Sequence, residues 1–157
     1  MNYSIATKYH QMIRSYNKLQ KVSINTGNHI SNVDGQEATE DFFVHCYHFK
    51  DYVKREFPPL SKTVEDFISN SFELSLCADY CNASKHAGLD KNPRSGEHFE
   101  SILEHTRMDL VRDQFICSAT VEIKTNRGSY KSIDIATKCI EKWNQFLRLN
   151  GINIPNP

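Results

Sequence analysis

The sequence predicts a mainly α fold: an up-and-down helical bundle with a C-terminal β-hairpin followed by a final helix. Three observations predict it. Apolar residues recur at steps of three and four over residues 4–22, 42–57 and 71–89. Over residues 115–124 they alternate with polar residues at the period of a strand. Beyond a glycine-containing turn, residues 134–150 return to the helical period, with Trp143 on one broad apolar face.

In the first helix Ile5, Tyr9, Met12, Tyr16 and Leu19 form the stripe, and Lys8, Arg14, Lys18 and Lys21 lie off it. Residues 25–40 turn to Asn, Gly, Ser, Asp and Thr without an apolar period and read as a loop. Phe42, Cys46, Phe49, Val53 and Phe57 make a tight second stripe, stopped by Pro58-Pro59, which have no amide hydrogen to donate. Ser61 is placed to cap a short third helix carrying Val64, Phe67 and Ile68.

The stretch from Ser71 to Leu89 is apolar on two opposed sides. Phe72, Leu76, Tyr80 and Ala83 lie on one, and Leu74, Cys77, Ala78 and Cys81 on the other, so this helix must be packed between neighbours. Gly88 and Leu89 suit its C-terminal cap. Residues 90–98 read as a loop. For residues 99–111 helix and strand both fit, with a lean to strand, since Ile102, Thr106, Met108 and Leu110 share one side. The hairpin is expected over about 115–133, turning near Gly128, and the last helix over about 134–150, with Asp134 as its cap and Gly151 at its end.

At 157 residues the chain is expected to be a single domain, 1–157. Nineteen basic residues balance nineteen acidic ones, so no global field draws it to polyanions or membranes. No window approaches eighteen apolar residues and the N-terminus lacks a basic-then-apolar signal, so no membrane is expected and a cytoplasmic location is. Five cysteines, an odd number mostly inside apolar patterns, read as reduced core residues. Asn82-Ala83-Ser84 matches a glycosylation acceptor but lies mid-helix.

Between the two apolar faces of residues 71–89 runs a narrow polar stripe, Ser75, Asp79, Asn82 and His86, within about 60°. It reads either as a buried polar network that fixes how helices or protomers pair, or as a ligand site in which Asp79 and His86 bracket a small group. His45, Cys46 and His48 are poorly spaced for zinc, because Cys46 belongs to the core stripe. Cys77 and Cys81 are four apart and lack a second pair, so neither a metal nor a cofactor is expected. Phosphate-cradling glycine loops, nucleophile elbows and dinucleotide fingerprints are absent from the sequence. Lys50, Lys54 and Arg55, interleaved with Asp51 and Glu56, read as a solvated face.

The aromatic-rich helix FFVHCYHFKDYVK, a break, and then LCADYCNASKH resemble the HEPN superfamily of small helical domains. Many of its members are ribonucleases of toxin-antitoxin and phage-defence systems, with a signature of Arg, a polar residue often Asn, a few residues, then His. Asn82 and His86 stand in the matching places, whereas Cys81 replaces the arginine. The resemblance implies a homodimer, a metal-independent endoribonuclease acting on RNA, and an antitoxin or defence partner protein. It assigns His86 to proton transfer, Asn82 to positioning it, Lys85 to the missing cation's role and Asp79 to orientation. Loss of the arginine leaves a second reading open, a catalytically inactive binding or interaction module that dimerises through the central helix.

Overall fold

The computed structural model describes residues 4–23, 35–86 and 92–156, with the backbone alone at 84–86, 115, 117 and 118. Five helices and three strands follow in the order α1 (Ile5–Ser23), α2 (Gly35–Glu56), α3 (Ser61–Ser69), α4 (Phe72–His86), β1 (Phe99–Val111), β2 (Gln114–Thr125), β3 (Ser129–Lys131) and α5 (Ser132–Leu149), with a 3-10 turn at Pro58–Leu60. The chain is thus mostly helical, with a small antiparallel sheet in the order β1-β2-β3. No helix among the described residues is long and apolar enough to cross a membrane.

Each helix buries the stripe its sequence carries. Ile5, Met12 and Leu19 of α1 are buried, while Tyr9 and Tyr16 stay at the margin, and the Tyr9 hydroxyl donates to Asn144 Oδ1 at 2.6 Å. Tyr16 shares a 2.9 Å bond with Thr137. Phe42, Cys46, Phe49 and Val53 of α2 share one core cluster with Trp143 and Phe146 of α5, and Phe49 stands edge-on to Trp143 with centroids 4.9 Å apart. Burying an aromatic ring of this kind contributes roughly 2–3 kcal/mol. Helix α5 ends in a Schellman motif: Gly151 takes φ +66°, Ile152 N–H donates to Leu147 O at 2.9 Å and Gly151 N–H to Arg148 O at 3.2 Å.

Three boundaries differ from expectation. The loop expected over 25–40 gives way to helix from Gly35, and its remainder, 25–34, lies outside the described residues. The buried face of this first turn is made of Gly35, Ala38 and Thr39, small or polar side chains that carry little hydrophobic signal. Thr39 Oγ1 donates to Gly35 O at 2.9 Å, and the small face lets α2 approach β2, where a Cβ on Gly35 would stand 2.6 Å from Val121 Cγ2.

The single hairpin expected at 115–133 is the second of two. Residues 99–111 form a full strand that pairs with β2 from Phe99↔Thr125 to Val111↔Gln114, and β3 pairs only with residues 122–124. The first turn is Arg112-Asp113, both left-handed at φ 49° and 58°, a two-residue turn without the usual glycine. Asp134 lies in the first turn of α5 and does not cap it, since Lys131 holds that position without a side-chain bond. The cap expected of Gly88 and Leu89 lies outside the described residues.

Candidate functional site

Helix α4 runs between α2, α3 and α5, and from Phe72 to Ala83 all of its side chains are buried or half-buried, as two opposed apolar faces require. Ser71 begins it by accepting the Leu74 N–H at Oγ, at 3.4 Å. Ser75 and Asp79 of the polar stripe face the chain's own neighbours. Ser75 Oγ donates to Ile68 O at 2.8 Å, closing the end of α3.

Asp79 is 2% exposed and takes three hydrogen bonds from the 92–98 loop. Arg94 N–H reaches Oδ1 at 2.7 Å, and Ser95 N–H and Oγ–H reach Oδ2 at 2.8 and 2.6 Å. The Arg94 guanidinium continues to Ser69 Oγ at 2.9 Å and to Glu65 Oε2 and Glu65 O, both at 2.7 Å. One carboxylate therefore ties α4, the loop and α3 into one network. Asn82 lies nearly a turn further on, half-buried. The Lys85 and His86 side chains lie outside the described residues, and His86 sits about 10 Å beyond Asp79 along the helix axis.

Cys81, which stands where the HEPN signature has arginine, points inward. Its thiol donates to Phe43 O at 3.5 Å, and burial, with the nearby Cys46, pushes its pKa up to about 12. It is a neutral, poorly nucleophilic group.

Compared with family models, with curated proteins and with solved structures, the chain has no match. The site must therefore be read from its own groups.

The cations of α2 are neutralised where they stand. Lys50 is paired with Asp51 at 2.7 Å, Lys54 pairs with Glu65, and Arg55 pairs with Glu56 at 3.6 Å while lying over the Tyr52 ring at 4.6 Å. A 370 Å³ cleft lined by Lys8, His48, Asp51, Tyr52 and Arg55 opens beside them. Burial and the Lys8 charge lower the pKa of His45, favouring the neutral ring.

Sequence reasoning missed one constellation. Cys46 of α2, Cys77 of α4 and Cys139 of α5 bring their sulfurs within 4.8 Å of one another, and Cys77 and Cys139 are 3.6 Å apart. Among the described residues this is the one group of three or more side chains able to hold a metal ion. Burial raises the Cys77 and Cys139 thiols well above their usual range. At Cys46 burial acts in the same sense, but the neighbouring Cys139, Cys77 and Trp143 groups outweigh it and lower the pKa. The pattern did place each cysteine on the core face of its helix; that the three faces converge at one height could not be read from spacing.

Proposed function

We propose that this chain is a HEPN-like helical domain acting as an interaction module, which pairs with a second copy of itself through the edge of β1 that carries no further strand among the described residues. Two features of α4 weigh against RNA cleavage. The position of the family's cation is an inward thiol, and Asp79 is fully engaged with Arg94 and Ser95. The central helix also offers little surface for a dimer, because its described side chains through Ala83 are already covered.

The open surface is in the sheet. Beyond the reach of β3, the β1–β2 ribbon stands as two strands, with Met108 59% and Leu110 63% exposed. A two-stranded ribbon is marginal alone, and an apolar edge strand invites a further strand.

The observation that carries the reading is the charge order of β1. Antiparallel pairing about a twofold axis normal to the sheet keeps each residue on its own face, so opposed residues must share parity. Centring the pair on Met108 sets Arg107 of each copy opposite the second copy's Asp109, twice by symmetry. Thr106 then faces Leu110 on the apolar side. Centring one residue either way would instead stack Arg107 on Arg107 or Asp109 on Asp109, which like-charge repulsion disfavours. Four free, buried cysteines fit a reducing compartment, in keeping with a cytoplasmic protein.

Sedimentation of the full chain, alongside incubation with mixed RNA, tests this. A dimer that leaves RNA intact is expected. A monomer at micromolar concentration overturns the self-pairing, and RNA degradation that disappears in His86→Ala restores the ribonuclease reading, with Asn82, Lys85 and Asp79 around it.

A further inference from the structure

We propose that Cys46, Cys77 and Cys139 form a three-thiolate site for one monovalent copper ion at the junction of α2, α4 and α5. The geometry is near that of the loaded state. Three sulfurs about 2.3 Å from a central ion are about 4.0 Å apart when the ion lies in their plane. Here all three lie within 4.8 Å of one another and the Cys77 and Cys139 sulfurs are 3.6 Å apart, so small side-chain adjustments close the ring.

The donor set selects the ion. It consists of sulfur alone, which suits soft metals, and the three cysteines are wholly buried at the aromatic wall made by Phe49 and Trp143. Structural zinc takes four ligands. A d10 monovalent ion is satisfied by three.

A second observation points to a ligand there. The indole N–H of Trp143 is buried without a hydrogen-bond partner, and Trp143 is a neighbour of Cys46. A neutral thiol is a weak acceptor, whereas a metal-bound thiolate would satisfy that donor and be held in place by it. Loading breaks S–H bonds as Cu–S bonds form; the protons leave to solvent and no electron is transferred.

The test is anaerobic refolding of the full chain with Cu(I) supplied as its acetonitrile complex, with Zn(II) in a parallel sample. One copper per chain, thiolate-to-copper absorption in the ultraviolet and an X-ray absorption shell of three sulfurs near 2.3 Å are expected. Trp143→Phe should lower copper affinity about tenfold or more, while Cys81→Ser should leave the stoichiometry at one. Wild-type chain that refolds without copper, or a Cys46→Ala/Cys77→Ala/Cys139→Ala variant that binds as much, overturns the site. One zinc with a fourth ligand in place of copper overturns the choice of ion. None of these readouts depends on the dimer.

Discussion

The Asp79 carboxylate receives both the backbone N–H and the hydroxyl of Ser95, at 2.8 and 2.6 Å, across sixteen residues of chain. With Arg94 N–H on its other oxygen, it acts as the buried peg on which the 92–98 loop hangs. Asp79→Ala would strand two backbone donors and is expected to remove roughly 2–5 kcal/mol of stability. Urea unfolding measures it. An unchanged midpoint would mean the loop is held elsewhere and would return Asp79 to a chemical role.

Placing the arginine of the HEPN signature at position 81 should not create a nuclease. Cys81→Arg drives a guanidinium against Phe43 O in a site sized for a thiol, and an uncompensated buried charge costs about 3 kcal/mol or more. Thermal unfolding should shift down with RNA left intact. Gain of cleavage at unchanged stability would show that position 81 can turn to solvent.

The β1 edge is testable by charge exchange. Arg107 and Asp109 lie 2.9 Å apart within one strand, both partly exposed. Arg107→Asp alone sets like charges across the proposed twofold and should weaken the dimer about tenfold or more, two like-charge contacts at up to about 1 kcal/mol each. Arg107→Asp with Asp109→Arg restores opposition and should recover it. Sedimentation equilibrium reads both, and equal dissociation constants for all three chains would refute this register.

Glu65 gives an acid dependence. Burial raises its carboxyl, but hydrogen bonds from Lys54 and Arg94, with Lys50 nearby, outweigh that and hold its pKa below the ordinary 4.5. The folded chain binds this proton less readily than the unfolded one. Its contribution is therefore complete above about pH 4.5 and is lost as pH falls through the depressed folded value. Glu65→Gln should flatten that part of the stability curve, as urea midpoints along an acid series would show. Parallel curves for the two chains would rule out the coupling.

Periodicity was enough for the helices because a bulky stripe leaves few ways to be buried. Phe42, Cys46, Phe49 and Val53 announce α2, and Trp143 with Phe146 announce α5, wherever their partners lie. It failed where burial is achieved by small side chains, as at Gly35, Ala38 and Thr39, and where a turn uses Arg112-Asp113 in place of glycine. The polar stripe of α4 was visible too, but spacing could not say what meets it.

By itself the sequence determined that residues 72–83 lie in a helix buried on two sides, that β2 turns Val121 and Ile123 inward, and that Cys46, Cys77, Cys81 and Cys139 belong inside; these follow from local period and hydrophobicity. Only the tertiary structure decided that Asp79 holds Arg94 and Ser95, that Cys81 faces Phe43, and that Cys46, Cys77 and Cys139 come together. Those relations join residues up to 93 positions apart, and such contacts are set by how helices cross and at what height, which no local repeat encodes.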